Sequence, residues 1–324
     1  MTFDIDTWVQ LAAFTGGGLA MGLGAIGAAL GEGFTAGLAN EGLSKRPEKS
    51  GEIFKNMLVG QAIAESAAIF ALVIAVLLLF VNPGSSYLLK APALLAAGLS
   101  MGIGACGSGL GSGFPAGEAC RGIARQPRMG SNLTTNMLIG AAVCQTPAIF
   151  AMVVALLLIF SDFSHMPFYP AWAALLGAGL STGLSAIGSG VGGGLAAGAS
   201  CEGIARQPES LGNVTTTMLV GQAVSQTPAI FGLLISFILL FRPVAETTAL
   251  SAAMAALGAG ICMGFGGIGP GIGNGFTARE AIRWIARNLE NTGGLTRTML
   301  VGQAVSQSTA IYAMVISLVL IFVV

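Results

Sequence analysis

Charge is what this sequence has least of. Fourteen acidic and fourteen basic residues are spread over 324 positions, a charged fraction of 9%, where a soluble chain carries roughly 25%. With 54% hydrophobic residues and a mean hydropathy of +0.82, a water-soluble enzyme is excluded and an integral membrane protein is indicated. Histidine is reduced to His165, in the stretch SDFSHMPFYP; one isolated imidazole does not build a metal centre, so it reads as an ordinary exposed residue. Cysteine is sparse as well. Cys106, Cys120, Cys144, Cys201 and Cys262 show no CxxC spacing and lie in or beside apolar segments, so they read as small buried side chains rather than ligands or disulfides. The basic residues form no stripe with interleaved aromatics, which argues against a nucleic-acid partner. The N-terminal MTFDIDTW is acidic, unlike the basic start of a cleavable signal peptide. No GxxxxGK[ST] loop occurs to hold a nucleotide phosphate.

Glycine, by contrast, is abundant, with 49 residues, and it falls inside apolar segments. It also repeats. Gly18, Gly22, Gly27, Gly31 and Gly33 superpose on Gly98, Gly102, Gly107, Gly111 and Gly113 after a shift of 80 residues. Two further shifts of 81 bring them onto Gly179, Gly183, Gly188, Gly192 and Gly194, then Gly260, Gly264, Gly269, Gly273 and Gly275. The chain is therefore four tandem units, with boundaries predicted at 1–84, 85–163, 164–244 and 245–324. Each unit holds a glycine-rich apolar segment, a short polar loop and a second apolar segment rich in Leu, Ile, Val and Phe. Two spans of about 20 residues make a hairpin, so the predicted fold is all-α, with eight transmembrane helices in four tandem hairpins. Small residues at intervals of three to four let helices approach closely in lipid. The glycine helices are accordingly expected on a tight inner circle and the bulkier helices outside, facing lipid.

Twelve of the fourteen basic residues lie near the loops within hairpins, among them Lys45, Arg46, Arg125, Arg206 and Arg287; only Lys90 and Arg242 lie near the other side. The positive-inside rule puts those loops in the cytoplasm and both termini opposite.

One charge is out of place. In GQAIAESAAIF (60–70), Glu65 sits about eight residues into the apolar run Met57 to Phe80. The phrase returns as GAAVCQTPAIF, GQAVSQTPAIF and GQAVSQSTAIY, where Gln145, Gln226 and Gln307 replace the glutamate. Of the acidic residues only Glu32 and Glu65 fall deep within spans. An intramembrane carboxylate is costly enough that function is the default reading, and a glutamine would hydrogen-bond a neighbouring helix without titrating. Glu32 aligns with Ser112, Gly193 and Asn274, so the second acid occurs only in the unit that keeps the first. Two such carboxyls are expected to share one proton as a coupled pair.

Taken together, GLGAIGAALGEGFTAG, the ARQP loops (124–127 and 205–208) and MLVGQAIAES resemble the ring-forming proteolipid, or c subunit, of rotary ATPases, four times over. The resemblance implies part of a rotor ring built from further copies of the chain, turning in lipid against a stator a subunit. It also implies loops that grip the central stalk, here Lys45, Arg46 and Pro47; Arg125, Gln126 and Pro127; Arg206, Gln207 and Pro208; Arg287 and Asn288. Glu65 would carry one Na+ or H+ per step, with no cofactor, no catalytic site of its own, and a bacterial inner membrane or its equivalent as location. Gln145, Gln226 and Gln307 are degenerate sites.

Sodium-carrying rings of the family pair the carboxylate with an acid or amide at the Glu32 position, a following hydroxyl as in Ser66, and a carbonyl two residues earlier as in Ile63. The neighbouring hairpin supplies the carbonyl and hydroxyl, often with a Thr and a Tyr. Hairpin 1 has Ala67 and Phe70 at those last positions, whereas hairpin 4 has Val305, Ser308, Thr309 and Tyr312. Hairpin 2 offers the rival partner, Thr146 with the Val143 carbonyl, but carries Pro147 and Phe150. Oxygen ligands suit a hard cation, while one missing ligand would leave a proton site. A proton-carrying ring of the vacuolar type and a passive proteolipid pore or scaffold are the rival readings.

Overall fold

A computed structural model describes residues 4–80, 87–243 and 249–323. These residues form eight long helices and no strand: α1 (Ile5–Lys45), α2 (Ser50–Phe80), α3 (Lys90–Arg125), α4 (Gly130–Phe160), α5 (Phe168–Arg206), α6 (Leu211–Phe241), α7 (Leu250–Ile285) and α8 (Thr292–Phe322). Each is long and apolar enough to cross a membrane, so the chain is an integral membrane protein of four helical hairpins. The expectation of about 20 residues per helix was too short. With 41 residues, α1 runs about 60 Å at 1.5 Å per residue, twice the roughly 30 Å of hydrocarbon. The helices continue because nothing in their charged ends breaks them; Glu41 pairs with Lys45 one turn on, which supports the helix.

All four hairpin turns are alike. Arg46, Gln126, Gln207 and Asn288 leave helical geometry, and a single 3-10 turn follows at Pro47, Pro127, Pro208 and Leu289. Proline suits a first turn, where its missing N–H has no partner to lose, and the fourth turn forms without it. The charged residues Lys45, Arg46, Arg125, Arg206 and Arg287 are exposed there. His165 is exposed at the opposite end, and all five cysteines are free.

The helices form two layers. In the first, α1, α3, α5 and α7 each pack along the next; in the second, α2 lies against α1 and α3, α4 against α3 and α5, and α6 against α5 and α7, while α8 lies against α7 of the first layer and, more lightly, α6 of its own. Contacts are dense in the glycine layer and sparse between second-layer helices. Two layers joined unit by unit but spaced unequally must curve, with the tighter layer inside. Exposed Leu72, Val76, Val153, Leu234, Val315 and Val319 cover the second layer, as a lipid-facing surface requires.

The close approach demands glycine where backbones meet: a Cβ on Gly111 would overlap the Gly190 carbonyl oxygen. The two ends of the row lack that contact. On α1, a Cβ added to Gly18, Gly22 or Gly33 would meet nothing within 4 Å, although their counterparts Gly98, Gly102 and Gly113 press on the preceding hairpin; on α7, Gly269 is open where Gly27 meets Cys106. The free edges are the two halves of the contact made inside the chain. Gly111→Val should therefore prevent the hairpins from packing at all, whereas Gly22→Val should leave each chain folded and impair association between copies. Ring yield in mild detergent, set beside protease resistance of the dissociated chain, separates the two effects.

An intramembrane carboxylate and its amide counterparts

The three internal hairpin interfaces show how the site is built. At Gln145 on α4, Nε2 donates to Ser112 Oγ on its own α3 at 2.7 Å and to the Ile63 carbonyl of hairpin 1 at 2.9 Å. Ser66 Oγ donates to that same carbonyl at 2.6 Å, so the Ile63 carbonyl faces Gln145 of the next hairpin and carries the Ser66 hydroxyl with it. In hairpin 3, Gln226 Nε2 lies 3.5 Å from the Val143 carbonyl and from the Ser189 carbonyl. In hairpin 4, Asn274 Nδ2 donates to Gln307 Oε1 at 2.8 Å and reaches the Val224 carbonyl at 3.5 Å. Each of these amide bonds across an interface runs from a hairpin back to the one before it, whereas the Thr35 hydroxyl, one turn beyond Glu32, donates forward to the Gly113 carbonyl at 3.2 Å.

Two prolines sharpen the pattern. In an α-helix the N–H of residue i bonds to the carbonyl of i−4, and proline has no N–H. Pro147 and Pro228, inside α4 and α6, therefore free the carbonyls of Val143 and Val224, the two groups that face the next hairpin's amide.

A second set of amides, missed in the sequence, works one turn earlier. Gln222 Nε2 bonds the Gly140 carbonyl at 2.9 Å and the Gly193 carbonyl at 3.1 Å; Gln303 Nε2 bonds those of Gly221 at 3.1 Å and Asn274 at 3.0 Å. Gln61 makes the half of this clamp available within hairpin 1, to the Glu32 carbonyl at 3.3 Å. Its recurrence four residues before the carboxylate position in three units was the available signal.

Among the described residues no hairpin packs on the preceding side of hairpin 1, and Glu65 is exposed on that edge, with Glu32 half-buried beside it. The pairing of these two positions follows from the copies: Ser112 and Gln145 bond directly, as do Asn274 and Gln307, and a Cβ on Gly193 would lie 3.2 Å from Gln226 Nε2. At the other edge, hairpin 4 presents Ser308 Oγ donating to the Val305 carbonyl at 2.7 Å, the arrangement that Ser66 and Ile63 present to Gln145. Val305 is 69% exposed and Tyr312 65%, while Phe70 and Phe231, which correspond to Tyr312, pack against the core. Thr309 bonds back to the Ser306 carbonyl at 3.0 Å. One chain thus holds the two parts of the arrangement at opposite ends and does not bring Glu65 together with Val305, Ser308 or Tyr312.

Comparison with known proteins agrees with the repeat. The chain matches the family of ATP synthase C subunits four times, over residues 15–78, 95–158, 176–239 and 257–320. It is 48% identical over 80 residues to an ATP synthase c subunit of Natranaerobius thermophilus, covering 25% of this chain and 92% of that protein. A longer relative, the K subunit of the A-type ATP synthase of Methanocaldococcus jannaschii, is 32% identical over 197 residues, 61% of this chain and 82% of its own length. A chloroplastic ATP synthase c subunit of Ostreococcus tauri is 46% identical over 72 residues, 22% of this chain and 88% of that protein. With four matches in tandem along most of its length, the chain belongs to the family of ATP synthase c subunits, as four of the family's hairpins fused into one polypeptide.

Proposed function

We propose that this chain is the rotor-ring subunit of an ATP-driven ion pump, carrying one Na+ per chain on Glu65, and that the site is completed by hairpin 4 of the adjacent copy. The observation that carries the reading is the one-way direction of the glutamine bonds across the interfaces: Gln145 to Ile63, Gln226 towards Val143, Gln222 to Gly140 and Gln303 to Gly221. Applied to hairpin 1, the same rule turns Glu65 towards the Val305 carbonyl and Ser308 hydroxyl of hairpin 4, supplied by another copy of the chain. Glu32 holds the shared proton and donates to Glu65, leaving the remaining oxygens for a hard cation. Tyr312 closes the site towards lipid. Gln145, Gln226 and Gln307 are blanks that pass a stator a subunit without an ion, because an uncharged amide needs no counter-ion where a carboxylate would. The exposed loop residues at the four turns face the cytoplasm and meet central-stalk subunits.

A hydrophobic carbodiimide should label Glu65 in the assembled ring, and added NaCl at constant ionic strength should slow that labelling. Labelling of Glu32 instead would reverse the two roles, and a labelling rate set by pH alone, slowed as pH rises and indifferent to NaCl, would make the cargo H+. Ser308→Ala and Tyr312→Phe should each weaken sodium protection roughly tenfold, the effect of about 1.4 kcal/mol expected for one lost polar contact, while Thr146→Val should leave it unchanged. The reverse result would put the site inside one chain.

A further inference from the structure

Near the loop end of the first layer, one position carries charge in all four hairpins and its sign alternates: Glu41, Arg121, Glu202, Arg283. These side chains meet across the first and third of the three internal hairpin interfaces. Arg121 Nη1 lies 3.9 Å from Glu41 Oε2, and Arg283 Nε lies 2.9 Å from Glu202 Oε2, while Glu202 is within electrostatic reach of Arg121. The row is also secured locally. Arg121 pairs with Glu118 at 2.6 Å and Arg283 with Glu280 at 3.1 Å, each three residues back, while Glu41 and Glu202 pair with Lys45 and Arg206 four residues on. Hairpins 1 and 3 thus share one charge pattern, hairpins 2 and 4 the other. These groups are at most about one-third exposed at the alternating position, so like charges brought together there would be screened poorly.

We infer that this alternating row selects what may join the ring: the chain closes only on whole copies of itself, with Arg283 of one meeting Glu41 of the next. The inference rests on the reading that hairpin 4 of one copy seats against hairpin 1 of another. The occupant of the open edges is set by their complementarity. The edge that ends in an arginine lacks an acid on its far side, the edge that begins with a glutamate lacks a base, and the glycine faces beside them are the two halves of one contact. An even number of alternating units continues through the seam without a fault, however many copies close the ring. A single hairpin inserted at the seam cannot fit both neighbours. With an acid at this position it faces Glu41, with a base it faces Arg283, and with neither it separates the pair. A ring of this chain alone follows, and with it a fixed interval of three blanks between carboxylates.

The test uses full-length chains. A variant with the row and its same-helix partners reversed together, Glu41→Arg with Lys45→Glu, Arg121→Glu with Glu118→Arg, Glu202→Arg with Arg206→Glu and Arg283→Glu with Glu280→Arg, keeps its internal alternation, its local pairs and its own seam, but opposes the wild type at every mixed seam. Co-expressed under different affinity tags, the two should form separate rings, whereas two differently tagged wild-type chains should mix at random. Random mixing of the reversed and wild-type chains in closed rings would overturn the inference. Absence of closed rings from the wild type would instead overturn the head-to-tail reading beneath it. Should the reversed chain fail to insert, two single variants carry the test. Arg283→Glu and Glu41→Arg, each expressed alone, should associate poorly, and together they should recover association through their complementary seams. Phe54→Cys and Thr298→Cys, counterparts of Asn56, Thr134 and Thr215 at the bonded internal interfaces, report that association by cross-linking between copies. No recovery on mixing, with each variant chain as protease-resistant as the wild type, would refute selection by charge.

Discussion

Rings carrying Glu65→Gln should move no ions above the leak of empty vesicles, and a second substitution, Gln145→Glu, should restore transport at a new position. The loss follows because an amide neither sheds a proton nor balances a cation, and a bare ion in hydrocarbon lacks any compensating charge. The rescue follows from the neighbours of Gln145. Its side chain is already held by Ser112 Oγ at 2.7 Å and the Ile63 carbonyl at 2.9 Å, with Ser66 Oγ on the same carbonyl. Replacing the amide nitrogen by oxygen turns that cradle into a set of oxygen donors around one negative charge, the environment a hard cation favours. Sodium protection in the double variant should then depend on Ser66 and become indifferent to Ser308→Ala. Gln145→Glu alone should load two ions per chain and double the ion-to-ATP ratio. Background transport in the double variant, with the ring intact and the new carboxylate unlabelled by carbodiimide, would mean that the internal interfaces cannot serve as sites.

The repeat, the eight helices and the two layers were legible in the sequence because each rests on a local signal. Glycines recur at fixed offsets, and the second segments are bulky where the first are small. Helix length was not legible. Apolar runs mark the hydrocarbon boundary, but the helix continues through Glu41 and Lys45, whose charges fit a helix as well as a loop. The partner of Glu65 was ambiguous for a different reason. Hairpins 2 and 4 both offer a carbonyl and a hydroxyl at the right offset, and a repeat pattern does not say which side of a helix faces which neighbour. The bonds of Gln145 and Gln226 show that direction for the internal interfaces, where the Ile63 carbonyl faces hairpin 2 and the Val143 carbonyl faces hairpin 3. Pro147 reads in the sequence as a departure from a sodium site; in the fold it frees the Val143 carbonyl. The alternation of Glu41, Arg121, Glu202 and Arg283 was visible once the repeats were superposed, but its meaning requires knowing that those positions touch.

Vesicles containing the complete complex should load with sodium, or acidify if the cargo is H+, when ATP is added, and should make almost no ATP from an ordinary ion-motive force. Three copies closing a ring of twelve hairpins would carry three ions per turn, because each chain has one Glu65 and three amides. A head with three catalytic sites turns over three ATP in the same rotation, so the ratio is about one ion per ATP. At a membrane potential of about 200 mV, one ion moving inward releases roughly 4.6 kcal/mol, from about 2.3 kcal/mol per 100 mV. That falls well short of the work of making ATP against cellular concentrations. A ring with a carboxylate in every hairpin would deliver four times as much per ATP and could run as a synthase. Run by hydrolysis, the single-carboxylate ring concentrates the free energy of one ATP on one ion, and so can drive it up a gradient that a fully loaded ring would stall against. The measurement is the ion-to-ATP ratio under a clamped potential, together with the potential at which uptake stops. A ratio near one and a stalling potential well above 200 mV are expected. Sustained ATP synthesis at about 200 mV, in a ring containing only this chain, would show that the three amides are not blanks.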